Sequence, residues 1–373
     1  MKMKGRQGLS FFAMFFISAF VIAVCCKTAG FDAVRELCIS LVFPKGGSAW
    51  VFSDIASSPG SARMSNNSNT LSGGKDKKTS SLLKSDPAYV PEDIQKLIDS
   101  AKSNEKNDKK DGVIVEHTYD KSSATDRVDN FLIRDSSENT VDFEKALARQ
   151  PDLQIKNKTK DPSVLIFHTH TTESYQILDR DFYAVGYTTR SEDPGRNMVR
   201  VGNEIAAEIE KGGYKVIHDT NIYDKFYSGA YDRSAAQIDK YLKEYPSIKI
   251  ILDIHRDAIQ DDEGVKTKPV CTVNNKKCAQ IMIISGCEGD GITDFPDWMY
   301  NLSFALRLQQ KCESTYPGFT RPLLFDNRKY NMDKSRCSLL IEMGSDANTL
   351  DEAAYAGRLL GRVLEALMEE YTV

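Results

Sequence analysis

The chain has 373 residues, 41% hydrophobic and 27% charged, with a formal net charge of −4. That length and apolar content support one large folded domain or two ordinary ones. A charge so close to neutral argues against nucleic acid as a partner.

In chain order, Lys2, Lys4 and Arg6 precede LSFFAMFFISAFVIAVCC, an uncharged run from Leu9 to Cys26. A basic start followed by an apolar stretch is an export signal or a membrane anchor. The run exceeds the roughly 7–15 residues of a cleavable signal core, and it ends in Val24 and paired cysteines. Residues 1–30 therefore read as an uncleaved transmembrane anchor, with a cleaved signal peptide as the alternative. Val24 before Cys25 makes a poor lipoprotein box. Both readings put the rest of the chain outside the cytoplasm, tethered at the cell membrane in the first case. FDAVRELCISLVF reads as a juxtamembrane helix. Residues 57–85 are rich in Ser, Asn, Gly and Lys and read as a disordered linker, because they have too little apolar surface to offset the entropy of ordering. From Pro91 to Asp161 the chain is charged, with short pieces such as PEDIQKLIDSA. Residues 31–160 together read as juxtamembrane segment, linker and stalk, leaving 161–373 as the folded domain.

Within that domain the runs SVLIF, YKVI, IKIILDI, AQIMIIS and SLLIEM have strand composition. Between them lie segments of helical period. NMVRVGNEIAAEIEKGG places Met198, Val201, Ile205 and Ile209 on one face and stops at Gly212-Gly213. SAAQIDKYLKEY and WMYNLSFALRLQQKCE are further helices. The last helix opens with Thr349 and Glu352 in capping-box spacing. Alternating elements of this kind predict an α/β fold with a mostly parallel central sheet flanked by helices. Eight cysteines occur, at 25, 26, 38, 271, 278, 287, 312 and 337. None forms C-x-x-C, which argues against a cysteine zinc knuckle. Cys271 and Cys278 flank TVNNKK, where Asn274-Asn275 reads as a hairpin turn; they face each other as a disulfide or as small buried thiols.

Chemistry gathers at strand ends. In an open α/β sheet, ligands bind beyond the carboxyl ends of the strands. One run ends in His168, His170 and Glu173. A second contains Asp253 and ends in His255-Arg256-Asp257, and the last carries Glu342 before Gly344. A catalytic zinc site takes three His or carboxylate ligands and leaves a position for water. His255 with one or both of His168 and His170 are the imidazole candidates, Glu173 is the carboxylate candidate, and Glu342 is free to be the base. Arg256 is a candidate to bind a substrate carboxylate or to steady Glu342. His117 and His218 lack such company and read as surface or structural residues. G-x-S-x-G, the P-loop and H-E-x-x-H are all absent.

HTHTTESY, DIHRDA, FPDWMYNLSFALRL and YNMDKSRCSLLIEMGSDANTLDEA resemble the stage II sporulation protein P family, in order, from Ser163 to the C-terminus. The resemblance implies an exported, membrane-anchored peptidoglycan hydrolase, similar in fold to zinc-dependent N-acetylmuramoyl-L-alanine amidases. It implies cleavage of the N-acetylmuramoyl-L-alanine amide, with endopeptidase activity on cross-links, at the sporulation septum during engulfment. Partners implied are the stage II sporulation proteins D, a lytic transglycosylase, and M, a membrane protein. His168 and His170 match the family's H-x-H, Glu173 its following carboxylate, His255 its D-I-H-R-D histidine, and Glu342 the presumed general base. The amidases present a single histidine after the first strand, at a position closest to His170. Their glutamate ligand sits at the start of the next helix, where this chain has no clear equivalent. Zinc held by His170 and His255, with His168 or Glu173 completing the set, is the expectation. The rivals are another exported zinc hydrolase such as a carboxypeptidase, and a non-catalytic wall-binding scaffold.

Overall fold

The computed structural model describes residues 87–105, 108–156 and 159–373, all within one compact unit. The expected anchor, juxtamembrane helix and linker lie outside the described residues. Among the described residues, no helix is long and apolar enough to cross a membrane.

In chain order the strands are β1 (Lys110–His117), β2 (Asp126–Val128), β3 (Phe131–Asp135), β4 (Val164–Phe167), β5 (Phe182–Ala184), β6 (Val216–His218) and β7 (Ile250–Asp257). There follow β8 (Lys266–Val273), β9 (Lys276–Ala279), β10 (Met282–Gly286), β11 (Leu323–Asp326) and β12 (Cys337–Ser345). The helices are α1 (Glu92–Asn104), α2 (Phe143–Ala148), α3 (Met198–Lys211), α4 (Ala230–Glu244), α5 (Trp298–Thr315) and α6 (Leu350–Glu370). Eight strands form one sheet in the order β2-β3-β11-β10-β12-β7-β4-β6. The pairs are parallel except β2/β3 and β10/β12. The sheet is thus mostly parallel, as expected, and all five strand-like runs lie in it.

Strand parity decides which side chain goes where. Val164 and Ile166 of β4, Ile250, Leu252 and Ile254 of β7, and Leu339, Ile341 and Met343 of β12 join the main core. That core is filled from α3, α5 and α6. The other face receives Leu165, Phe167 and Ile251, covered by Ile238 of α4, and Leu340, covered by Phe295 and Met332. Because both faces are packed, these strands read as continuous apolar runs. Asp253, His255 and Glu342 have the parity of Ile251 and Leu340, so they face away from the main core.

α3 opens at Asn197, whose side chain accepts from the Val199 amide, and it buries Met198, Val201, Ile205 and Ile209. α6 opens with the expected capping box of Thr349 and Glu352. The two helices approach closely at Gly357 and Gly361. A Cβ at Gly361 would lie 2.7 Å from the Ile205 carbonyl oxygen, and one at Gly357 would lie 3.0 Å from that of Val201. Glycine in a helix interior costs about 1 kcal/mol against alanine; here that cost is offset by the closer helix contact. Gly361→Val is therefore expected to destabilise the fold by about 1–3 kcal/mol through overpacking, read as a lower midpoint in urea.

A second sheet has the order β5-β1-β8-β9. Its β8–β9 hairpin turns at Asn274 and Asn275, both left-handed with φ of 48° and 61°, as a two-residue turn of this type requires. Cys271 lies opposite Cys278, and both are free thiols, as are Cys287, Cys312 and Cys337. The stretch expected as a stalk differs from expectation. β3 pairs with β11 in the main sheet, and β1 pairs with β8 in the smaller one, so strands on both sides of residue 161 share the same sheets. β1 buries Ile114 alone and leaves Val113 and Val115 exposed.

Candidate functional site

β4, β7 and β12 run parallel, so their carboxyl ends reach one edge of the sheet. Glu342 is in register with His255. The two side chains therefore lie beside each other on the face away from the main core.

After Phe167 the chain turns sharply. The Thr171 hydroxyl donates to the His168 carbonyl at 2.7 Å, and the Glu173 amide donates to the His170 carbonyl at 3.1 Å. Side chains on two other segments fasten the turn. Asp253 accepts from the Thr169 amide at 2.9 Å and its hydroxyl at 2.7 Å. Asp224 accepts from the Thr172 amide and hydroxyl and pairs with Arg190. Residues two apart share a face on an extended strand; the turn breaks that geometry and separates the two rings. That of His170 meets His255 edge-on with centroids 5.3 Å apart. That of His168 points elsewhere, with Nδ1 2.8 Å from the Ile254 carbonyl and Nε2 2.9 Å from His218 Nε2.

His170, Glu173, His255 and Glu342 are thus brought together. Glu173 Oε2 lies 3.6 Å from His255 Nδ1 and accepts from the Arg256 amide at 3.1 Å. Asp253 Oδ1 lies 2.8 Å from His255 Nε2, without the alignment of a hydrogen bond. Burial opposes charge on His255, but Asp253 and then Glu173 outweigh it and raise the imidazole to about 9. Burial, reinforced by His255, lowers His170 to about 4. Burial, reinforced by the Asp257 carboxylate, raises Glu342 to about 8.

Two expected site residues are placed differently. Arg256 is buried, and its guanidinium donates to the carbonyls of Ser174, Asp257 and Thr189. It clamps the loop after β4 and has no face for a substrate carboxylate. His168 has both ring nitrogens engaged, and burial, then His218, pushes its pKa well below the ordinary value. His218, read as lacking company, is that partner; it sits on β6, the parallel neighbour of β4. Gly202 leaves room for the pair, since a Cβ there would lie 2.4 Å from His218 Nε2 and 2.8 Å from His168 Nε2.

The rim is aromatic, which sequence reading did not single out. Tyr227 stacks on His170 at 4.6 Å and 3°. Tyr231 lies nearly parallel to both His255 and Tyr330. Tyr231 and Ser234, one helical turn apart in α4, both face the site region, and Ser234 contacts Thr169. That spacing was the only local signal available.

The family model described as "Stage II sporulation protein P" matches residues 66–365. The Stage II sporulation protein P of Bacillus subtilis (strain 168) is 26% identical over 235 residues, 57% of this chain and 55% of that protein. The match thus spans about half the length of that relative. Among solved structures, N-acetylmuramoyl-L-alanine amidase AmiC2 of Nostoc punctiforme is 13% identical, with a TM-score of 0.33 over 58% of this chain and 98% of that one. The N-acetylmuramoyl-L-alanine amidase of Clostridium difficile 630 is 15% identical, with a TM-score of 0.32 over 56% and 96%. The family match spans most of the 373 residues and contains every strand among the described residues and the whole candidate site, and on it the chain belongs to the stage II sporulation protein P family.

Proposed function

We propose that the chain is a membrane-anchored, zinc-dependent peptidoglycan hydrolase that cleaves the N-acetylmuramoyl-L-alanine amide, and peptide cross-links in addition, in septal wall degradation during sporulation. The observation that carries this reading is the convergence of His170, Glu173, His255 and Glu342 at the carboxyl ends of three parallel strands. Among the described residues no three ligating side chains are already drawn to metal-binding distance. The donor set nonetheless fits zinc. His170 Nδ1 and Glu342 Oε2 are buried with no hydrogen-bond partner, and such atoms are costly unless something satisfies them; Asp253 occupies the Nε2 side of His255 and leaves Nδ1 toward Glu173. Two imidazoles and a carboxylate are the ligand types of catalytic zinc.

His170, Glu173 and His255 would hold the ion; His168 and Arg256 are left out of that set. Zinc there would polarise the scissile carbonyl and lower the pKa of water to about 7. Glu342 takes the proton from the attacking water and passes it to the leaving amine. A cation beside Glu342 favours its ionised form, which a base requires. Asp253 fixes the His255 ring from behind, the role that a carboxylate plays for a ligating histidine. Family membership supports the sporulation setting, and the stage II sporulation proteins D and M are the proposed partners.

Product analysis on purified sacculi tests the bond. The expected products are free stem peptides and peptide-free glycan, from cleavage at the lactyl amide. Release of terminal D-Ala alone would instead mark a carboxypeptidase and overturn the amidase assignment.

A further inference from the structure

The loop between β6 and α4 turns its apolar residues outward. Phe226 is 75% exposed and Tyr227 is 68% exposed, and Ile222 in the same loop is exposed too. Isolated exposed apolar residues are ordinary, but a contiguous group beside a functional cleft marks a binding surface. The loop is held in this state by polar contacts. Arg233 in the first turn of α4 donates to the carbonyls of Tyr223 at 2.7 Å, Ser228 at 3.1 Å and Phe226. The Asn221 carbonyl accepts from the Thr171 hydroxyl at 2.7 Å, which ties the loop to the turn that carries His170. Tyr227 lies flat on the His170 ring, so whatever covers these aromatics lies within one ring's width of the candidate metal ligands.

We propose that Phe226 and Tyr227 form a platform for a pyranose ring of the glycan strand. This rests on the hydrolase reading above. The sugar bearing the scissile lactyl amide must lie against the ligand cluster, and the platform is the exposed apolar surface contiguous with it. A pyranose presents C–H groups on its faces, and these meet the electron-rich face of an aromatic ring. The stem peptide carries charged groups and gains less from the neutral rings; the Arg190 guanidinium that lies 5.4 Å from the Tyr227 centroid is already paired with Asp224. Fixing the loop beforehand reduces the entropy lost when the strand binds.

The test uses the full chain carrying Glu342→Gln, so that ligand is not consumed, and measures calorimetric affinity for peptide-free glycan strands and, separately, for isolated stem peptides. Adding Phe226→Ala and Tyr227→Ala is expected to weaken glycan binding about tenfold without changing the unfolding temperature, whereas Phe226→Trp keeps it. Unchanged glycan affinity in the double variant, no glycan binding by the parent, or a loss confined to stem peptides would each overturn the platform. If the rings govern glycan binding while the unsubstituted chain releases no peptide from sacculi, the platform stands and the hydrolase reading falls.

Discussion

Glu342→Gln is expected to reduce peptide release from purified sacculi by about 10²–10⁴-fold, the contribution typical of a positioned acid–base group. Bound zinc is expected to stay at about one ion per chain, because Glu342 is not among the three proposed ligands. The fold should not suffer. Glu342 is half-buried, but its Oε2 is buried and unpartnered, and desolvation already pushes the carboxyl up to about 8. A neutral amide of the same shape removes the cost of burying charge there, so the unfolding temperature of the metal-free variant should equal or exceed that of the parent. Near-normal turnover by this variant would remove Glu342 from the role of base.

His255→Ala is expected to lose both activity and metal. Removing a group that only orients a ligand costs about 10–100-fold in metal affinity, so loss of a ligand should cost at least about 100-fold, seen as substoichiometric zinc after dialysis. Stability should fall as well, because His255 is the cation lying between Asp253 and Glu173, and its removal leaves two buried carboxylates facing each other. His168→Ala separates the ligand role from the structural one. It breaks the contact with His218 and the Ile254 carbonyl, so stability drops while zinc stoichiometry holds. Zinc retained by His255→Ala, or lost from His168→Ala, would reverse the proposed ligand set.

Much of the fold was legible because its information is local. The apolar runs of β4, β7, β10 and β12 are buried on two faces, so composition alone marks them; β6 is a half-buried edge strand. α3 and α6 announce themselves by period and by caps: Gly213 after α3 is left-handed at φ 87°, and the Thr349 box is formed as spaced. β1, β3 and β11 were not legible. They are short or mostly solvent-facing, and their pairing is decided by residues far along the chain. The convergence of three strand ends was likewise readable, since parallel strands must share an edge. The direction of each ring was not. Which of His168 and His170 faces His255 is set by Thr171 and Thr172, through contacts to Asn221 and Asp224 some fifty positions later. Arg256 was misread for a similar reason: its three acceptors are main-chain carbonyls, which leave no trace in side-chain identity.

The sheet partners of β1 and β3 also set an order of events. Ile133 of β3 waits for Leu323, about 190 residues later, and at ordinary synthesis rates that delay is roughly 10–40 s. Ile114 of β1 waits for Lys266 over a similar stretch. Contacts this distant close late and slow the final assembly. Until β8 and β11 arrive, the first strands made have unpaired edges open to any neighbouring chain. β1 reaches that interval with Val113 and Val115 exposed beside Ile114, and the charged residues toward its two ends are what discourages another chain from pairing there. The charges that flank Val113, Ile114 and Val115 thus guard the chain before its fold is complete.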